Sequence, residues 1–128
     1  MLPAPHRLRS SAEFRTTVRR GRRSAGRALV VHLLPPEEPP PSSPTAARPA
    51  RVGLVVSRAV GPAVTRNLVK RRLRHLLRDR VASLPPGSTL VVRALPAAAG
   101  TPYASLGEEI DRLLRLDPDL AAERMVTC

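Results

Sequence analysis

Three short apolar runs stand out from a chain rich in Arg, Ala and Pro: RALVVHLL (Arg27–Leu34), RVGLVVS (Arg51–Ser57) and STLVVRA (Ser88–Ala94). Each is rich in β-branched residues and bounded by turn formers, so each reads as a buried strand. Between the second and third runs, Val69, Leu73, Leu76 and Leu77 fall on one stripe at helical spacing. Gly61-Pro62 opens this helix, because proline is tolerated in a first helical turn. The helix extends to about Val81 or Ala82, before SLPPG (Ser83–Gly87) breaks it. Upstream of the first strand, SSAEFRTTVRRG offers Ser10 or Ser11 as a cap and Gly21 as a stop. Phe14 and Val18 share one face of that short helix. LGEEIDRLLRL (Leu106–Leu116) closes the pattern with Leu106, Ile110, Leu113 and Leu114 on one side. The predicted order is α-β-β-α-β-α, an α+β sandwich in which helices pack on a small, mostly antiparallel sheet. The first two strands are joined by a loop without a helix and are expected to pair antiparallel.

That loop, Pro35–Ala50, holds seven prolines and reads as flexible or polyproline-like. DPDLAAERMVTC reads as a frayed tail. The length of 128 residues suits a single domain, residues 1–128. With one Phe, one Tyr and no Trp, its core is aliphatic. The single cysteine, Cys128, forms no internal disulfide, which fits a reducing cytoplasm. The N-terminus has no apolar run of signal-peptide length, and no segment approaches the roughly 20 apolar residues of a membrane span. The chain is read as soluble and cytoplasmic, with no membrane partner.

Charge changes the picture most. The formal net charge is +12, and residues 1–82 hold 18 Arg or Lys against 4 Asp or Glu. Every basic residue except Lys70 is Arg, whose planar fork suits phosphate. A codon bias explains Arg in place of Lys, but not the shortage of acids. In the central helix, Asn67, Lys70, Arg71, Arg74 and Arg78 share the face next to the apolar stripe, with Arg66 near the border. Like charges at this spacing repel by a few tenths of a kcal/mol per pair, so helix stability does not ask for them. A solvated helix face is the bland reading, but such faces usually mix acids with bases. A membrane-surface helix needs a free face with bulky anchors, whereas this stripe is narrow, aliphatic and wanted by the core. A nucleic acid as ligand accounts best for the arrangement. A DNA-reading helix-turn-helix would place a short helix just before the basic one; here strands precede it, so DNA is not the expected partner.

VGLVVSRAVGPAVTRNLVKRRLRHLLR (Val52–Arg78) resembles the signature of the bacterial ribonuclease P protein family. In that family a strand ending in Ser-basic leads through a Gly turn to a helix carrying Arg-Asn-Arg, then Lys-Arg and a further Arg. Ser57-Arg58, Gly61, Arg66, Asn67, Lys70, Arg71 and Arg74 match those positions. Leu68 stands where the family usually has the third motif residue, Arg. HRLRSSAEFRTTVRRGRRSAGRALVVHLL (His6–Leu34) resembles the family's opening, so the likeness covers about residues 6–116. The Pro35–Ala50 insert is longer than usual, and residues 117–128 are not covered.

The resemblance implies a left-handed β-α-β crossover around the basic helix, and a function. It implies a protein subunit that binds the catalytic RNA of ribonuclease P and helps it remove the 5′ leader from precursor tRNA. Arg58, Arg66, Asn67, Lys70, Arg71, Arg74 and Arg78 would face the catalytic RNA. A cleft between the first helix and the sheet would take the leader, with Phe14 as its aromatic contact. Val18 stands where a second Phe is common, and His32 where Tyr or Phe often sits. Each has a plainer reading: Phe14 as a core residue under the sheet, and His32 as a buried strand residue. Tyr103 is assigned no role.

The chain itself is expected to have no catalytic residues and no metal site. His6, His32 and His75 lie in different elements without metal-ligand spacing, and no carboxylate cluster of the two-metal kind is present. Hydrolysis would come from the RNA partner and the Mg²⁺ that it holds. The alternative is a general RNA-binding or ribosome-associated protein with no role in tRNA processing.

Overall fold

A computed structural model of the chain describes Leu8 and residues 11–35, 50–85 and 87–115. Most of the proline-rich insert and the tail after Leu116 lie outside the described residues. The elements run α1 (Ser11–Arg20), β1 (Arg22–Ala25), β2 (Leu29–Leu34), β3 (Arg51–Val56), α2 (Ala63–Arg78), β4 (Thr89–Ala94) and α3 (Tyr103–Arg115). Short 3-10 turns cover Arg58–Val60, Val81–Ser83 and Pro96–Gly100. The fold is α+β: three helices on a four-stranded mixed sheet.

The sheet order is β1-β2-β4-β3. This corrects the expected pairing of the first two apolar runs, because β4 lies between them. β2 and β4 pair antiparallel, while β3 and β4 pair parallel, with Val52 opposite Leu90 and Val56 opposite Ala94. The reason lies in burial. Leu90, Val91 and Val92 are all fully buried, so this run needs cover on both faces and takes the central place. A parallel pair needs a long crossover, which α2 supplies. β1 is an addition to the predicted order. Its sequence, RRSA, has no apolar alternation, and it forms by antiparallel register with β2, Arg23 opposite His32. Its arginines suit an edge strand, since charge discourages pairing with another chain.

α3 starts at Tyr103, ahead of the expected Leu106, because the Pro102 carbonyl accepts the Leu106 N–H at 3.0 Å and sets the first turn. α2 ends at Arg78, and a 3-10 turn completes the span to Ser83.

Strand alternation sends Leu29, Val31, Leu33, Leu90, Val92, Val52 and Val56 to one face. There they join Val69, Leu73, Leu76 and Leu77 of α2 and Leu106, Ile110 and Leu113 of α3 in one buried cluster. Arg80 ties the two helices together, donating to Asp111 at 2.7 and 3.1 Å and to the Leu76 carbonyl at 2.8 Å. Glu109 of α3, itself buried, accepts the backbone N–H groups of Arg27 and Ala28, each at 3.0 Å, and so holds the β1–β2 turn.

The other face carries Val30, His32, Val91, Gly53 and Arg93, with α1 lying across part of it. Gly53 marks the contact: a Cβ there would run into the Phe14 ring and stand 3.1 Å from Leu8 Cδ2. The Leu8 N–H also donates to the Val52 carbonyl at 2.9 Å, covering the outer edge of β3.

Candidate nucleic-acid interface

The basic helix divides as its sequence implies. Val69, Leu73, Leu76 and Leu77 are buried against the sheet. Asn67, Arg71, Arg74 and Arg78 are exposed on the far side, with Lys70 and Arg66 half-buried at the flank. Arg58 is exposed in the 3-10 turn that precedes α2. Gly61 takes φ 151°, a backbone that favours glycine, and its carbonyl accepts the Arg66 Nε–H at 3.2 Å. Among the described residues, the ion pairs engage Arg51, Arg80 and Arg112, and none of the α2 arginines as far as Arg78. The outer face is thus a set of free cations around Val64 and Leu68, both of them exposed. Leu68 leaves that part of the face apolar.

The cleft residues lie on the opposite side of the sheet, so the two sets form separate surfaces. Phe14 is half-buried, its ring laid over Gly53 where no side chain stands in the way. Val18, one turn on, is 38% exposed. Thr17 between them is fully buried and returns its hydroxyl to the Glu13 carbonyl at 2.8 Å. Glu13 reaches across to Arg51 of β3 at 2.9 Å, fixing α1 on the sheet.

His32 is only 3% exposed, yet it lies on the α1 side of the sheet and outside the main cluster. Neither ring nitrogen has a hydrogen-bond partner among the described residues. Burial, and then the charges of Arg93 and Arg23, hold its pKa below the ordinary histidine value, so the ring is neutral near pH 7. His32 is thus buried, as its plainer reading has it, on the side of the sheet that carries α1.

Arg23 and Arg93 were not among the expected site residues. Arg93 was legible: in LVVRA it is in phase with Val91, on the face opposite Val92. Arg23 was not, because β1 carries no apolar signal. Among the described residues no group of three or more His, Cys, Asp or Glu is placed to hold a metal ion. Nor is any described helix long and apolar enough to cross a membrane.

A cationic helix on one side of a sheet and exposed arginines, Arg23 and Arg93, on the other define a small α+β protein suited to a polyanion. The model of the Ribonuclease P family matches residues 2–116. The ribonuclease P protein component of a Nocardioides species is 58% identical over 114 residues, covering 89% of this chain and 92% of that protein. The chain belongs to the ribonuclease P protein family, whose members are the subunit that assists the RNA in tRNA 5′ processing. The ribonuclease P protein component of Streptomyces avermitilis is 55% identical over 119 residues, covering 90% of this chain and 94% of that protein. The solved RNase P protein of Staphylococcus aureus superposes with a TM-score of 0.73 at 22% identity, covering 88% of this chain and 95% of that one, which speaks to the fold alone.

Proposed function

We propose that this chain serves an RNA catalyst by two separate surfaces and contributes no catalytic group itself. The outer face of α2, with Arg58, Arg66, Asn67, Lys70, Arg71, Arg74 and Arg78, binds the catalytic RNA. The cleft of Phe14, Val18 and His32 binds the single-stranded 5′ leader of precursor tRNA. The observation that carries this reading is the placement of the two surfaces on opposite sides of the sheet, which lets one protein hold two RNAs at once. Mg²⁺ belongs to the RNA partner in this reading. Of the described carboxylates, Glu13, Glu109 and Asp111 are committed to Arg51, to backbone N–H groups and to Arg80, while Asp79 and Glu108 are exposed. The work takes place in the cytoplasm, with its tRNA substrate.

The test is precursor-tRNA cleavage at low Mg²⁺. Catalytic RNA plus protein should cleave well, RNA alone poorly, and RNA-free protein not at all. Cleavage at the mature 5′ end by the protein alone would overturn the assignment of catalysis. Absence of stimulation would favour a general RNA-binding role.

A further inference from the structure

The floor of the cleft holds an arrangement that the leader-binding residues named above do not use. β1 and β2 place Arg23 directly opposite His32, and β2 and β4 place Arg93 opposite Val30, diagonal to His32. All three point to the α1 face by strand alternation. Directly opposite side chains stand with Cβ atoms about 5 Å apart and diagonal ones about 7–8 Å, within reach of arginine. Arg23 and Arg93 are exposed, and neither has an ion-pair partner among the described residues. His32 lies buried between them with both ring nitrogens unpartnered.

The other described charges on this face can be named. From α1 and β3 come Glu13 and Arg51, paired with each other. Arg15, Arg19 and Arg20 of α1 are exposed. β4 offers Val91 and Thr89 beside Arg93, and β2 offers Val30 and Leu34, none of them charged. Among the described residues, the two guanidinium groups beside His32 are therefore uncompensated.

We propose that Arg23 and Arg93 form a phosphodiester site for single-stranded RNA in the cleft, and that His32 takes up a proton when this site is filled. Two free forks facing one cleft suit a phosphate, which each can bind through paired N–H groups. A phosphate held there offsets the repulsion that keeps the imidazole neutral and supplies an opposite charge to favour imidazolium. The sign follows. Binding raises the His32 pKa, so the bound state holds more protons and affinity rises as pH falls. A rise of one pKa unit gives a gain of at most about tenfold. The proposal rests on the cleft reading above.

The experiment uses the full chain and a short labelled single-stranded oligoribonucleotide, between about pH 5 and 8 at several salt concentrations. Wild type should bind more tightly at the acid end. Arg23→Ala and Arg93→Ala should each lower affinity and shallow the log–log salt slope by about 0.7. His32→Phe should lose the pH dependence, whatever its affinity at neutral pH. NMR titration of His32 in the wild-type protein, with and without RNA, reads the same proton without a variant. A His32 pKa that stays put or falls on RNA binding overturns the coupling, as does a pH dependence that survives in His32→Phe. Unchanged affinity and slope in both Arg variants overturn the site. Holoenzyme cleavage separates this from the functional reading. If cleavage is stimulated while the Arg variants bind as wild type, the site falls and the function stands. If stimulation fails while Arg93→Ala still loses affinity, the function falls and the site stands.

Discussion

Gly53→Ala should destabilise the protein by way of a single aromatic ring. The new Cβ points into the Phe14 ring, with Leu8 Cδ2 at 3.1 Å beside it. Leu8 can give way, since only the end of its side chain is involved. The ring cannot share the space and must swing towards the cleft. Overpacking of this kind costs roughly 1–3 kcal/mol. For a chain of 128 residues, each kcal/mol lowers the thermal midpoint by about 4 °C. The decisive measurement is a double-mutant cycle by urea unfolding. With Phe14→Ala already in place, the methyl group enters empty space. Alanine is then the better strand residue by about 0.5–1 kcal/mol, so Gly53→Ala becomes neutral or stabilising. The coupling energy should therefore exceed about 1 kcal/mol, well above the ~0.3–0.5 kcal/mol scatter of independent sites. Additive costs would refute the contact between ring and glycine. The single variant Gly53→Ala should also weaken leader binding without removing any group that touches RNA.

Three further outcomes are expected. Glu109→Ala strips two backbone donors of a buried acceptor and should cost about 1–3 kcal/mol in urea unfolding; Glu109→Gln, which keeps one acceptor oxygen, should cost less. His32 has a folded-state pKa below its unfolded value, so its contribution to stability is complete above about pH 6.5 and is lost as pH falls through the folded value; His32→Phe should flatten that part of the stability–pH curve. Arg74→Ala should leave the fold intact and shallow the salt dependence of catalytic-RNA binding by roughly 0.7–0.9, whereas Phe14→Ala should cost about 1–3 kcal/mol only for substrates that carry a leader. Equal losses from both variants on tRNA with and without a leader would refute two separate surfaces.

The parts of this fold legible in the sequence are those with a strong apolar period. Val69, Leu73, Leu76 and Leu77 marked both the helix and its buried stripe, and so fixed which arginines face outward. β2, β3 and β4 were legible as runs of Val and Leu. Their order was not, because pairing depends on which run needs two covered faces, and the loop between β2 and β3 carries no information on that. β1 was invisible: RRSA becomes a strand only because β2 offers it an edge. The same blindness hid Arg23, and with it the charge beside His32. His32 itself was legible as a residue of a buried strand, but its side of the sheet emerged only with α1 in place.

Topology then decides how the two surfaces relate. β3 and β4 run parallel, so their C-terminal ends coincide, with Val55 opposite Arg93 and Val56 opposite Ala94. The chain leaves β3 at that end, passes Arg58 and turns at Gly61 into α2. Arg93 on the cleft side and Arg58 and Arg66 at the start of the basic helix therefore share one end of the sheet. An antiparallel β4 would have carried Arg93 to the opposite end and parted the two surfaces by the length of a strand. As built, one end of the molecule gathers cations from both faces. Without a ligand these charges repel across the sheet edge, and the described residues offer them no ion pairs. RNA drawn along the cleft would emerge at this end, beside the helix proposed to hold the catalytic RNA. The β3–α2–β4 crossover thus links the fold to the proposed function: on that reading it would bring the two RNAs together at one end while keeping their binding faces apart.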